Sequence, residues 1–376
     1  MRKDRLKRLA LVWSQFAAYH VDRCEAVGMA TAGRAQVLAV EVATSSKLYA
    51  WEASGGIAHA EKLTLFDGCQ YEDVSPWRRF RKLFATLAGC DVAYIGIGYH
   101  EPEIVPLVWL LRLFGVRVIL MLDSKFDDSP RKSWFEFLKS LGLAAYSGAI
   151  VAGKRHFDYI RFLGFKRRMV LPGYDCVGVD RIRKCLTPED VSRSWDDRDF
   201  LFVGRFVEKK NLTTLIDAYA LYHAQAGDKA RRLVLMGDGP LRDEIERKIA
   251  NMGLGHKIII IGFMPSQTVV KAMAGALALL LVSHEEQWGL VINEAVAVGL
   301  PVIASSTCGA TDLLVRNLVN GYVVDCASVE GIASAMTRMT RSQGEWQTMS
   351  EESTKLAHLG DASFFAQSVM QIATVT

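Results

Sequence analysis

Glu286 and Glu294 stand eight positions apart, with Gly289 between them. Carboxylates accept hydrogen bonds from hydroxyls, and backbone N–H groups at a helix start receive anions. An apolar run, residues 272–282, leads into this segment, and residues 295–302 read as a helix ending at Gly299 and Pro301. A buried strand therefore enters a loop, and the loop enters a helix. Ligands of open α/β sheets bind just outside the carboxyl ends of strands, so this edge suits a polyhydroxylated, anionic ligand. A second strand end, in residues 202–212, carries Gly204, Arg205 and Lys210, with a helix starting near Asn211. Arginine makes bidentate phosphate contacts and lysine supplies a mobile point charge. A third, in residues 234–241, turns through Gly237, Asp238, Gly239 and Pro240. The fourth ends in Gly262, Phe263 and Met264 and offers little side-chain chemistry.

These segments need strands to hold them. Apolar runs predict strands at residues 9–13, 35–42, 92–97, 117–122, 148–151 and 169–171. A second series falls at 200–203, 232–236, 258–261, 278–282, 301–304 and 321–324. Helical patterns separate them, which predicts an α/β fold of parallel sheets built from βαβ units. Two series imply two doubly wound domains, expected at residues 1–175 and 200–359, with a charge-rich linker at 176–199. A terminal helix at about 360–376 is expected to pack back on the first domain.

Composition sets bounds. The 376 residues are 50% apolar and 23% charged, a globular balance too long for one ordinary core. Seven scattered cysteines without a CxxC pair fit a reduced compartment and indicate neither a disulfide framework nor a zinc site. No histidine pair has metal-ligand spacing, so no metal is expected. The basic start, residues 1–8, precedes an apolar stretch too short for a signal peptide. The longest apolar region, residues 104–122, contains Arg112, Gly115 and Arg117, and reads as a helix at 106–114 and a strand at 117–122 rather than a membrane span. Residues 1–175 hold 25 Lys+Arg and 18 Asp+Glu, so 25 − 18 gives +7. Basic clusters with aromatics at residues 76–84 and 131–135, and a basic triplet at 166–168, read either as solvated helix faces or as contacts to an anionic membrane.

In order and spacing, the four segments of residues 200–325 resemble the GT-B glycosyltransferases of family GT4, the glycosyl transferases group 1. The resemblance implies two Rossmann-like domains facing a central cleft, a nucleotide-sugar substrate (UDP- or GDP-sugar), retention of anomeric configuration, and no metal or other cofactor. It assigns Arg205 and Lys210 to the donor diphosphate, Glu294 to the ribose and Glu286 to the transferred sugar. Gly204 and Gly237 belong to the donor-side turns. The N–H groups of Gly289, Leu290 and Val291 would meet phosphate or sugar oxygens, and the backbone at Phe263 and Met264 would read the base. Trp288 stands where the family usually has Phe, as a packing residue. The first half departs from the pattern. No glycine follows its first strand, which leaves Ser14, Gln15 and His20 as acceptor-side candidates. Near the reacting carbon the candidates are His100 and Asp123. Pro172 to Asp175 occupies the place of the family's interdomain turn.

The expected function is sugar transfer to a lipid-linked or polysaccharide acceptor, by a cytoplasmic protein peripheral to the inner face of a membrane. Nucleic acid is not an expected partner. The alternative is a non-catalytic nucleotide-sugar binding protein of the same fold. Asp197 and Asp199 have the spacing of a metal-dependent transferase motif, but they precede a strand in a polar segment. A dehydrogenase would need GxGxxG after a strand, and none occurs.

Overall fold

The computed structural model describes residues 6–47 and 54–374. Residues 1–5 of the basic lead-in and residues 375–376 of the expected terminal helix lie outside the described residues. The chain divides into two units, residues 1–178 with 361–376, and residues 179–360.

Among its described residues the first unit holds seven strands: β1 (Arg8–Trp13), β2 (Gln36–Ser45), β3 (Glu61–Gln70), β4 (Val92–Ile95), β5 (Arg117–Leu122), β6 (Gly148–Val151) and β7 (Met169–Leu171). All pairs are parallel, in the order β3-β2-β1-β4-β5-β6-β7. Its helices up to this point are α1 (Ala18–Thr31), α2 (Pro76–Leu87), α3 (Ile104–Leu113), α4 (Ser133–Gly142) and α5 (Lys154–Phe162). Central strands covered on both faces read as continuous apolar runs, and β1 is buried almost throughout. Alternation then splits its residues between two cores. Ala10 and Val12 join one, while Leu9, Leu11 and Trp13 join the other.

The second unit holds helices α6 (Val179–Lys184), α7 (Pro188–Val191), α8 (Leu212–Ala226), α9 (Arg242–Asn251), α10 (Ser266–Ala274), α11 (Leu290–Ala297), α12 (Val329–Met339) and α13 (Gln343–Leu356). Its strands are β8 (Phe200–Val203), β9 (Leu233–Met236), β10 (Ile258–Gly262), β11 (Ala278–Leu281), β12 (Val302–Ser305) and β13 (Gly321–Val324), parallel in the order β10-β9-β8-β11-β12-β13.

Three sequence expectations change. β3 was not anticipated: among the described residues it is an edge strand paired with β2 alone, and its half-exposed face dilutes the apolar signal. The helix expected at 295–302 instead begins at Leu290, because Gly289 takes a left-handed conformation (φ 98°) and starts it early. From Val179 onward, the charged segment read as a linker packs into the second unit. Arg183 Nε donates to the Ala297 carbonyl (2.8 Å), and the Arg198 guanidinium lies 4.7 Å from the Trp346 ring centre while donating to the Ala274 and Ala276 carbonyls.

The last helix, α14 (Ala362–Thr374), belongs to the first unit. Phe365, Val369 and Ile372 enter the core that contains Leu9 and Leu11. Tyr94 donates to the Val369 carbonyl (2.6 Å) and Arg117 Nη2 to that of Ala373 (2.8 Å), which ties β4 and β5 to this helix. Phe365→Ala would leave a cavity there and should destabilise the first unit by about 3–5 kcal/mol, read from its transition in urea unfolding. A loss below about 1 kcal/mol would mean that α14 is not part of that core.

Candidate functional site

The second unit's strand order reverses direction between β8 and β11. Such a switch point, at the carboxyl ends of the strands, is where open α/β sheets bind ligands. Two loops meet there. After β8 the chain passes Gly204 and Arg205 to Lys210, and after β11 it passes Ser283 to Gly289. The Lys210 ammonium pairs with Glu286 Oε2, which also accepts from Ser283 Oγ (3.3 Å). His284 N–H donates to the Lys209 carbonyl (2.8 Å) and joins the loops a second time. Arg205 is exposed, and its side chain makes no hydrogen bond or ion pair among the described residues.

Asn211 fixes Lys210 in place. It adopts a left-handed conformation (φ 57°), and its buried side chain donates to the carbonyls of Val282 (3.0 Å) and Cys326 (2.8 Å). The first turn of α8 is thereby bolted to the end of β11. The sequence reading marked Asn211 only as a helix start. Asn is among the non-glycine residues enriched at φ above zero, and that was the available signal.

Gly289 caps α11 and leaves no room for a side chain. A Cβ there would lie 3.0 Å from Leu281 Cδ2 and 3.3 Å from Glu286 Cγ. The first amides of a helix have no intrahelical acceptor, so Leu290 and Val291 present theirs beside the Glu286 loop. Glu294 lies in the second turn of α11 and is half-buried. Trp288 is buried and donates to Asn293 Oδ1 (2.8 Å), while its carbonyl accepts from Ala310 N–H (3.0 Å), so it anchors the loop from beneath.

The glycine turn after β9 serves packing between loops. A Cβ on Gly237 would lie 1.9 Å from the Gly204 carbonyl oxygen, and one on Gly239 2.5 Å from that of Phe206. Phe206 N–H donates to the Asp238 carbonyl (2.9 Å) and Leu241 N–H to that of Phe206 (3.1 Å). Gly204 and Gly237 thus let the Arg205 loop rest on its neighbour. Phe263 follows β10 and is 70% exposed, with Met264 half-buried beside it.

The first unit has its own switch point, between β1 and β4. Ser14, Gln15 and His20 follow β1, and His100 follows β4. Gln15 is buried, and its Oε1 has no hydrogen-bond partner among the described residues. His20 Nδ1 accepts from Ala17 N–H (2.9 Å) at the start of α1. Burial, reinforced by the charge of Arg23, holds its pKa well below the ordinary value. The ring is therefore neutral with its proton on Nε2. His100 is exposed, folds against Gly98, and sits 3.7 Å from Glu101 Oε1. Asp123 follows β5 directly. A buried Arg23, which sequence reading missed, centres this end of the unit. It donates to Asp175 Oδ1 (3.1 Å) and to the Cys176 carbonyl (3.0 Å), between the rings of Tyr19 and Tyr174. Trp13 Nε1 donates to the Tyr174 hydroxyl (2.9 Å). Burial raises the pKa of both Asp123 and Asp175. Arg23 opposes the rise at Asp175, and the charge of Asp175 adds to it at Asp123.

Among the described residues, no group of three or more His, Cys, Asp or Glu side chains is placed to hold a metal ion. No helix among them is long and apolar enough to cross a membrane.

Two doubly wound parallel sheets with helices define the GT-B class of fold. Solved structures agree. HepE of Anabaena in complex with UDP and glucose superposes with a TM-score of 0.70 at 17% identity, over 97% of this chain and 98% of that one. Sucrose-phosphate synthase of Thermosynechococcus elongatus gives 0.70 at 18% identity, over 97% and 98%. Residues 188–356 match the family described as glycosyl transferases group 1, so the resemblance read from the four segments is borne out. An uncharacterized glycosyltransferase of Methanocaldococcus jannaschii is 32% identical over 149 residues, 40% of this chain and 37% of the relative. The 2-deoxystreptamine N-acetyl-D-glucosaminyltransferase of Niallia circulans is 26% identical over 221 residues, 55% and 56% of the two chains. The matched part thus spans roughly half or less of these relatives' length.

The acidic pair of the first unit has a consequence for stability. Asp123 binds its proton more tightly in the folded chain than in the unfolded one. Its contribution is complete below the unfolded pKa of about 3.9 and is lost as pH rises through the raised folded value. Asp123→Asn removes the titration, so its melting temperature should fall less than that of the unmodified protein as pH rises from acid to neutral. Equal slopes in the two melting series would show that Asp123 ionises normally.

Proposed function

We propose that this protein transfers a sugar from a nucleotide-sugar donor to a lipid-linked or polysaccharide acceptor, with retention of anomeric configuration and without a metal or other cofactor. The observation that carries the reading is the Lys210–Glu286 pair at the β8/β11 switch point, with the unpaired Arg205 on the same loop as Lys210 and the amino end of α11 beside Glu286. A nucleoside diphosphate brings two phosphate charges. Arg205, Lys210 and the amides of Leu290 and Val291 supply positive potential for them. This potential acts most strongly as the sugar–phosphate bond breaks and charge gathers on the leaving diphosphate. Once phosphate engages Lys210, Glu286 is released to accept from sugar hydroxyls, and Glu294 serves the ribose. Phe263 and Met264 border the base.

UDP- and GDP-sugars are the donors of choice; HepE of Anabaena, which shares the fold, binds UDP. In the proposed step the acceptor hydroxyl attacks from the side the nucleotide leaves. The new glycosidic bond forms as the bond to phosphate breaks, and a phosphate oxygen takes the hydroxyl proton. No side-chain nucleophile takes part. Ser14, Gln15 and His20 of the first unit serve the acceptor, and His100 and Asp123 are its candidate catalytic groups. The basic first half, net +7, favours an acceptor held at an anionic membrane surface on the cytoplasmic side.

Nucleotide release measured across a panel of UDP-, GDP- and ADP-sugars tests this directly. One donor should turn over, and Glu286→Ala and Lys210→Ala should each lower kcat/KM by about 10²-fold or more. Full transfer by Glu286→Ala would overturn the donor assignment. Tight donor binding with no release for any acceptor would mark a binding protein instead.

A further inference from the structure

Helix α4 is built inside out. Trp134, Phe137, Leu138 and Leu141 follow the spacing of a single helical stripe, and with Phe135 they are 50% to 64% exposed. The face turned inward is polar. Glu136 is buried and accepts from the Tyr159 hydroxyl (2.7 Å) and from Lys139 Nζ (2.7 Å). A surface helix of a globular protein normally shows the reverse arrangement. Here charged groups hold the helix to the unit and leave its apolar stripe in water. Phe126 and Phe162 enlarge the patch. Both are more than half exposed, their rings are 5.6 Å apart, and the Phe126 ring lies 6.1 Å from that of Tyr159, which holds Glu136. Apolar patches of this kind mark interaction surfaces.

Cations border the stripe at both ends. Lys132 is exposed at the amino end of α4. At the other end, Arg168 donates to the carbonyls of Leu143 (3.1 Å) and Ala144 (3.0 Å), which places the exposed Lys166 and Arg167 next to it. A second copy of this chain would bring the same cations against themselves. An anionic lipid surface would neutralise them while the stripe enters the boundary between headgroups and acyl chains.

We propose that α4 is an in-plane membrane anchor for bilayers containing anionic phospholipid. It rests on the membrane-bound acceptor of the reading above and names the surface involved. The stripe supplies apolar area, and Lys132, Lys166 and Arg167 supply the preference for negative headgroups.

Vesicle sedimentation of the full chain, without donor or acceptor, tests the anchor. With phosphatidylcholine–phosphatidylglycerol vesicles at low salt the protein should pellet, and with phosphatidylcholine alone it should pellet less. The double variant Phe137→Ser/Leu141→Ser should bind about tenfold more weakly or worse. Its thermal melting should be unchanged, since both side chains are exposed. Lys166→Ala/Arg167→Ala keeps the stripe and should lose only the preference for phosphatidylglycerol. The proposal fails if the unmodified protein stays in the supernatant, or if the stripe variant pellets as it does. It also fails if sedimentation velocity without lipid finds a dimer that the stripe variant dissolves. UDP binding by calorimetry on the same samples separates the two claims, because intact binding with no pelleting removes the anchor and leaves the donor site in place.

Discussion

One ion pair organises the second unit. Lys210 and Glu286 come from loops that leave adjacent strands, β8 and β11, where the sheet reverses its order. Each group is only partly exposed, so neither is left without a counter-charge. Around the pair the backbone is fixed. Asn211 bolts one loop down, Trp288 holds the other from beneath, and His284 joins them. In the proposed function a ligand phosphate would meet a lysine already in position and already neutralised, and binding would be an exchange of anions with little conformational entropy to lose.

The first unit solves a different electrostatic problem. Arg23, Asp175, Asp123 and His20 lie near the carboxyl ends of its strands, largely out of water. Only one carboxylate has the direct arginine bond, so the other binds its proton more tightly than a free aspartate does, and burial favours the neutral form of the imidazole. The result is a polar cluster with little net charge. A sugar or alcohol fits such surroundings better than a phosphate does, in contrast with the cationic loop after β8.

Much of this was legible in the sequence, and the exceptions share a cause. All six strands of the second unit were anticipated because buried parallel strands write continuous apolar runs. Glu286, Lys210 and Arg205 were singled out because each follows a strand end read from the sequence, and the structure brings Lys210 and Glu286 together. β3 was missed because an edge strand keeps polar residues on its open side. Gly237 and Gly239 were read as turn residues near a ligand, whereas their close neighbours are Gly204 and Phe206, a contact that no local pattern encodes. Arg23 was missed because its partner, Asp175, is 152 residues away. In α4 the sequence reading noted only the basic and aromatic cluster at residues 131–135; the side of the helix that faces water is decided by the buried Glu136 and its partner Tyr159, which lies outside the helix.

The proposed donor site depends on Lys210 receiving phosphate while Glu286 is its stand-in partner. Calorimetric titration of UDP and GDP into the unmodified protein, Lys210→Ala and Glu286→Ala separates the two roles. Lys210→Ala should bind the preferred diphosphate at least about tenfold more weakly, the loss of one charged hydrogen bond. Glu286→Ala should bind it as tightly as the unmodified protein or more tightly, because the phosphate no longer displaces a carboxylate. Undiminished binding by Lys210→Ala, or a comparable loss in both variants, would contradict the account.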